Sequence, residues 1–392
     1  MLLKILFWLA AMGIITAMAA YGPVVNFIAK IKRKHNTIRG LRKDYTYLPS
    51  VAVLVSAHNE EAVIEKKLLN LLITDYPKDL LEIVIMSDAS TDNTISIVKK
   101  FIEDNKSDDK FKITLYEASE HKGKTNAQNE AVKKIDAEVI VMTDANSMFE
   151  KSAVKELVSC LCDSEVKYVT GTLAYANSQK AVTAANENTY WNMDLKIRKS
   201  ESDIMTITAG NGAIYACRKA DYYDFKPILC HDSAMPIKYA LDGYRAVYNE
   251  KAVAYENAGE TNEDEFKRKV RMNRGILYDI CPDIRIFNIF KYKWFSLFYL
   301  CHRTLRYMLF INHLMVLCFS YILAIITDGP FWTFAAAAQL LFYAVAIYGT
   351  AFKSKNKIVS LITYYTQTIV AQAVGIYNQL TGKSKPFWEV SR

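Results

Sequence analysis

The chain has 392 residues, 51% hydrophobic, 12% aromatic and 23% charged, and its apolar residues gather at the two ends, which argues against two plain soluble domains. The net charge of +8 is modest, and its basic clusters lie beside the apolar segments, pointing to membrane phospholipid and away from nucleic acid. The seven cysteines (160, 162, 217, 230, 281, 301 and 318) follow no framework spacing, and Cys160-x-Cys162 has no companion pair or nearby histidine, so neither a disulfide scaffold nor a zinc site is expected; they read as reduced thiols facing a cytosol.

Ile5 to Ala29 carries no charge, and about 25 helical residues cross a hydrocarbon core with some tilt. The basic residues that follow (Lys30, Lys32, Arg33, Lys34, Arg39, Arg42 and Lys43) argue for a retained anchor over a cleaved signal, with the chain beyond it cytoplasmic. Residues 1–29 are therefore expected as a transmembrane helix and 30–49 as a basic linker.

From Ser50 short β-branched runs alternate with amphipathic ones. Strands are expected at Val51–Ser56, Ile83–Ser87 and Lys112–Tyr116. Helices are expected at Glu61–Leu72, with Ile64, Leu68, Leu71 and Leu72 inward, at Thr94–Phe101 and at Thr125–Lys134. The central strand is Glu138-Val-Ile-Val-Met-Thr-Asp-Ala-Asn146, followed by a helical pattern through Val154, Leu157, Val158 and Leu161. Such alternation implies a mostly parallel sheet with helices on both faces.

Ligands of open α/β sheets bind at the C-terminal strand ends. Four polar clusters fall there: His58-Asn-Glu-Glu61, Asp88-Ala-Ser-Thr-Asp92, His121-Lys-Gly-Lys124 and Asp144-Ala-Asn146. Asp144 and Asn146 offer two oxygens spaced to face one hard cation, and by themselves would equally serve a turn. Asn59 and Asp92 taken singly read as helix caps. Four such clusters on one edge argue for a site.

Further on, Ala184 to Arg198 is helical in pattern and carries Trp191, Asp194 and Arg198. Ala209-Gly-Asn-Gly-Ala213 is a glycine-rich turn that lets backbone approach a ligand. Asp232 opens a helix with Met235, Ile237 and Leu241 inward, where a helix cap is the plain alternative to a chemical role. An acidic loop, Tyr255 to Glu265, precedes the basic run Phe266 to Gly275. Phe287 to Arg306 suits one interfacial helix with snorkelling charges. Tyr307 to Thr327 and Phe331 to Phe352 are each long enough to span, joined by Asp328-Gly-Pro330, with Lys353, Lys355 and Lys357 marking a return to the cytoplasm. Ile358 to Leu380 is uncharged but polar and precedes a basic tail (Lys383, Lys385, Arg392); the charge rule makes it re-entrant or interfacial, with a third C-terminal span as the alternative.

The ordered set Val51-x-Val-Leu-Val-Ser-Ala-His-Asn-Glu-Glu61, Ser87-Asp-Ala-Ser-Thr-Asp92, Lys122-Gly-Lys124, Thr143-Asp-Ala-Asn146, Gly210-Asn-Gly-Ala213, His231-Asp232 and Arg268-x-x-Arg271 resembles the membrane-bound, processive-type family 2 glycosyltransferases, relatives of the cellulose, hyaluronan and poly-N-acetylglucosamine synthases. The resemblance implies a cytoplasmic glycosyltransferase A domain, Rossmann-like in its sheet, over residues 50–282, with membrane-associated helices over 283–392. It implies that Glu60, Asp88 and Lys124 bind a nucleotide-sugar, that Asp144 and Asn146 hold Mg2+ or Mn2+ at its diphosphate, and that Gly212 lies near the donor sugar. Asp232 would be the catalytic base, and Arg271, with Arg268, would meet the diphosphate and the acceptor.

Three positions depart from the family pattern. Asn146 stands where a second Asp is commoner, so an Asn146→Asp change is expected to tighten metal affinity. His231 replaces the first acid of an acidic pair, and Arg268 and Met272 replace the Gln and Trp of Q-x-x-R-W. The implied reaction is inverting transfer from a UDP-sugar to a membrane-associated or growing glycan. Two other readings stay open: single addition to a lipid-linked sugar, and a nucleotide-sugar-binding subunit without turnover.

Overall fold

The structure, a computed structural model, describes residues 1–105, 112–177, 182–257, 262–327, 329–354 and 356–387. Asp328, Lys355, Arg392 and residues 258–261 of the acidic loop lie outside the described residues. The described chain falls into two compact units. One comprises Ala29–Ala176, Ile197–Asn257 and the described end of the tail from Lys385; the other comprises Met1–Ile28, Asn177–Lys196 and Ala258–Ser384.

The first unit holds an eight-stranded sheet in the order β3-β2-β1-β4-β7-β6-β8-β5. Its strands are β1 (Val51–Ala57), β2 (Leu81–Ser87), β3 (Lys112–Glu117), β4 (Val139–Asp144), β5 (Met148–Phe149), β6 (Val166–Tyr175), β7 (Ile214–Arg218) and β8 (Arg245–Glu256). β1 and β4 are central and almost wholly buried, which is why they read as unbroken apolar runs, whereas β3 at the edge is half-exposed and capped by Lys112 and Glu117. β3, β2, β1 and β4 are mutually parallel, and Ser56 pairs with Asp144 and Ala57 with Ser87, so their C-terminal ends share one edge.

The sheet is parallel in most of its pairings, as expected, and antiparallel pairs enter beyond β4. β7 runs antiparallel to both β4 and β6, and β5 antiparallel to β8, making the sheet mixed. This reversal matters for the site. Because Thr143 pairs with Ile214, the turn before β7 arrives at the edge where β4 ends. β8 is parallel to β6 and β5 pairs Met148 with Tyr255, so β8 also ends beside the residues that follow β4. Between Asn146 and the helical pattern around Val154 the chain forms the two-residue strand β5.

Helices pack on the sheet: α2 (Ile64–Leu72), α3 (Thr94–Asp104), α4 (Lys124–Lys134), α5 (Ala153–Ser159) and, after α6 (Val182–Ile204) has followed β6 in the chain, α7 (His231–Leu241); α1 (Leu2–Lys34) precedes them all. Ile64, Leu68 and Leu71 of α2 are fully buried with Val53, Val55, Ile83 and Val141. Each such side chain is worth roughly 1.5–3 kcal/mol of transfer free energy. α1 is one helix with a π turn over Thr16–Ala20. Pro23 lacks an N–H and its ring crowds the carbonyl four residues earlier, which accounts for the local widening.

In the second unit, α8 (Asn262–Met272) is followed by short helical pieces and then α9 (Leu309–Thr327), α10 (Pro330–Ala351) and α11 (Lys357–Leu380). α1, α9 and α10 are long and apolar enough to cross a membrane. α11 does not meet that measure among the described helices, yet it is one unbroken helix of 24 residues, capped by Asn356, whose Oδ1 accepts from Ile358 N–H at 3.0 Å, so no re-entrant turn interrupts it.

The expected single interfacial helix from Phe287 to Arg306 is corrected. The segment breaks at Lys293, whose φ of 50° cannot continue a right-handed helix, and then passes through a π turn at Tyr299–Thr304. Lys291 and Lys293 are exposed, whereas His302 Nε2 and Arg306 Nη1 both reach Asp194 Oδ1, at 2.9 and 2.7 Å, and Arg303 Nη2 reaches Asp279 at 3.2 Å.

Candidate active site

Each polar cluster at the strand edge is locked by its neighbour. Asn59 has φ +55° and Ala89 φ +53°, turning the chain sharply after β1 and β2. Thr91 N–H donates to Asn59 Oδ1 at 2.8 Å, so Asn59 ties these two turns together and is not a helix cap. Glu60 follows, its N–H donating to Thr94 Oγ1 at 2.8 Å. Asp92 does the capping: its Oδ1 accepts from Thr94 N–H at 2.9 Å and its Oδ2 from Glu61 N–H at 3.1 Å. Burial works against the ionised Asp92, but these bonds prevail and its pKa is lowered.

Asp88 is 3% exposed and organises the next loop. Its carboxylate accepts from Lys122 N–H at 3.1 Å, Gly123 N–H at 2.8 Å and His121 Nδ1 at 2.7 Å. The His121 ring stacks on His58 with centroids 3.7 Å apart and planes 11° apart, and Phe387 of the tail meets its edge at 4.7 Å. The loop thus delivers Lys124 to the first turn of α4, beneath two stacked imidazoles.

Lys124 Nζ sits against Asp144 Oδ1 and 3.1 Å from the Gly212 carbonyl oxygen. Burial alone would lower its pKa, but Asp144 and Asp232 outweigh that and the net shift is upward, so it stays charged. Gly212 lies where these groups converge. A Cβ built on it would stand 2.9 Å from Lys124 Nζ, 3.8 Å from Asp144 Oδ2 and 3.9 Å from Asp232 Cγ. The turn is held from behind: Asn211 Nδ2 donates to the Gly171 carbonyl at 2.8 Å, and Gly210 N–H to the Asp232 carbonyl at 2.7 Å.

Asp232 is in the first turn of α7, with Cys230 as the capping residue and no side-chain cap. Among the described residues its carboxylate has no hydrogen-bond partner, so it is not spent as a cap. His231 points elsewhere. It is 1% exposed, with Nδ1 2.9 Å from Gln128 Oε1 and Nε2 2.7 Å from the Tyr222 hydroxyl, and burial, aided by the Lys124 charge, lowers its pKa to about 3. At neutral pH it is an uncharged strut between α4 and α7.

The Asp144–Asn146 turn is backed by a residue that the sequence reading passed over. Lys67 of α2 is fully buried, with Nζ 2.9 Å from Thr143 Oγ1, bonded to the Ser147 carbonyl and 4.1 Å from the centre of the Phe149 ring. Burial lowers its pKa to about 7, against the pull of Asp144 and Glu256. Its spacing from Ile64 and Leu71 put it on the inward stripe, which was the available signal. Glu256, at the end of β8, was also missed; it accepts a hydrogen bond from Asn146 Nδ2.

The residues fit a hard divalent ion. The donors are oxygens, and the Lys124 ammonium already stands as a positive charge against the same carboxylate. No cluster of three or more His, Cys, Asp or Glu exists among the described residues. Arg268 and Arg271 belong to the other compact unit, on α8, where Arg268 Nε and Nη2 both bond Glu265 at 2.9 Å.

Two family models match the chain: glycosyl transferase family 2 over residues 52–223 and glycosyl transferase family group 2 over residues 139–349. The chain belongs to the family 2 glycosyltransferases and is an enzyme of that class. It is 32% identical to the probable glycosyltransferase YdaM of Bacillus subtilis, over 66% of this chain and 63% of that one. Identity to the poly-beta-1,6-N-acetyl-D-glucosamine synthase of Staphylococcus aureus is 26%, over 64% of this chain and 60% of the synthase. The match thus spans less than two thirds of these curated relatives. A mannosyltransferase of Pyrobaculum calidifontis, solved with GDP-mannose and Mn2+, shares the fold with a TM-score of 0.71 at 23% identity, covering 96% of this chain and 99% of that one.

Proposed function

We propose that the protein transfers a sugar, with inversion, from a UDP-sugar to a hydroxyl of a membrane-associated or growing glycan, working on the cytoplasmic face of the cell membrane. The observation that carries this reading is the convergence of Lys124, Asp144 and Asp232 on Gly212, with Asp232 the carboxylate that has no hydrogen-bond partner among the described residues. Glu60 and the loop held by Asp88 receive the nucleoside. Lys124 stands where negative charge accumulates as the bond from anomeric carbon to diphosphate breaks. Asp144 and the Asn146 amide oxygen would hold Mg2+ or Mn2+, which supplies Lewis acidity to the diphosphate when bound. The acceptor hydroxyl forms the new bond from the opposite face and gives its proton to Asp232.

Single addition to a lipid-linked sugar is a second reading. The Arg268–Glu265 pair favours it, because the residue standing in the place of the processive glutamine is committed within its own helix. Purified protein with Mn2+, offered a panel of UDP- and GDP-sugars with membrane extract as acceptor, tests both. Sugar-dependent UDP release with a product one residue longer supports single addition, a ladder of products supports polymerisation, and release from GDP-sugars alone removes the UDP assignment.

A further inference from the structure

The contact between Asn146 and Glu256 has a chemical consequence at the cation turn. Asn146 donates through Nδ2 to Glu256 Oε1. Only the NH2 end of an amide can face a carboxylate, since the reverse orientation sets oxygen lone pairs against each other. Glu256 therefore decides which way the amide points and leaves Oδ1 as its presented atom. Glu256 is itself anchored. Its backbone pairs with Tyr175, its carbonyl accepts from Ala176 N–H at 2.9 Å, and Tyr255 beside it pairs with Met148, two residues beyond Asn146. The strand carrying Glu256 is thus fastened to the chain that leaves the turn.

Resting on the reading of Asp144 and Asn146 as cation ligands, we propose that Glu256 is the positioning residue of that site, holding the Asn146 amide with Oδ1 toward the ion and making the turn suited to asparagine and not aspartate. An aspartate at 146 in this background would put a carboxylate against Glu256, so the gain expected from sequence for Asn146→Asp is cancelled by repulsion. Exchanging the two groups, with acid at 146 and amide at 256, keeps the hydrogen bond with donor and acceptor swapped and places the acid at the ion.

Mn2+ alone, titrated into the full chain in detergent with free Mn2+ read by electron paramagnetic resonance, tests this. Glu256→Ala should weaken Mn2+ about tenfold, the lower end of what loss of a ligand's orienting partner costs. Asn146→Asp should bind no more tightly than the parent, and Asn146→Asp with Glu256→Gln at least about tenfold more tightly than Asn146→Asp alone. Glu256→Ala binding within twofold of the parent, or Asn146→Asp alone matching the exchanged pair, overturns the proposal. If Glu256→Ala does not fold, the comparison of Asn146→Asp with the exchanged pair decides. Asp144→Asn separates the two levels: Mn2+ binding unchanged in that variant removes the cation reading and this inference with it, whereas a loss there beside an unaffected Glu256→Ala removes only the role of Glu256.

Discussion

Two glycines in one turn should report on fold and chemistry separately. A methyl group added at Gly210 would lie 1.9 Å from the Tyr168 hydroxyl and 2.7 Å from its ring carbon Cζ. Tyr168 is fully buried and stacked on Tyr215 with ring centroids 5.4 Å apart, so it cannot yield without moving the β6–β7 core. Overpacking of this kind costs about 1–3 kcal/mol. Gly210→Ala should therefore lower the melting temperature by roughly 3–10 °C. At Gly212 the crowded atom is Lys124 Nζ, 2.9 Å from the added carbon, and the next atoms are at ordinary contact distance, 3.8 and 3.9 Å. The tip of a lysine can swing away. Gly212→Ala should leave stability within about 1 kcal/mol, since a restricted unfolded chain offsets small losses. It should displace the ammonium from Asp144 and reduce turnover by about 10²-fold, as the loss of one preorganised charge donor does. Thermal unfolding and initial rates of nucleotide release from the same preparations read both effects. A Gly212→Ala protein as active as the parent, or as unstable as Gly210→Ala, would show that Lys124 is not poised as argued.

Other outcomes follow from the same geometry. Asp232→Asn should abolish transfer while leaving donor binding within about tenfold, because a base acts mainly in the transition state; substantial residual turnover would place the base elsewhere. Asp144→Asn should cost several orders of magnitude in rate, and activity persisting in chelator would remove the metal assignment. His231 is held neutral in the fold with a pKa of about 3 against 6.5 for an unhindered histidine, so the unfolded chain binds the extra proton between those values. Its stabilising contribution is intact above pH 6.5 and is lost as pH falls toward 3, by up to about 1.4 kcal/mol per pH unit, and acid unfolding of His231→Gln should show a shallower slope over that window. Cysteines placed at Lys34 and Lys383 should resist an impermeant thiol reagent applied to intact cells, and labelling at Lys34 would invert the topology.

Much of this protein was legible in its sequence because it rests on local periodicity and strand-end chemistry. The runs that became β1, β2 and β4 are apolar without interruption since both of their faces are covered, and their ends at Ala57, Ser87 and Asp144 carry polar residues because a parallel sheet exposes those ends together. The uncharged runs that became α1, α9 and α10 needed no tertiary information either. That Asn146 and His231 depart from the resembled family's pattern was also visible before folding.

Tertiary structure decided what those identities do. No periodicity reveals that β7 runs antiparallel beside β4, yet that pairing is what brings Gly212 to Asp144 and Lys124. Nor does sequence spacing show that Glu256, 110 positions after Asn146, accepts its amide, or that Lys67 lies buried behind the same turn. His231 and Asp232 are adjacent in the chain, but consecutive residues of a helix face about 100° apart, and α7 turns His231 toward Gln128 and Tyr222. Charge state, amide orientation and the partner of each carboxylate are set by burial and by contacts far apart in sequence, which only the folded chain supplies.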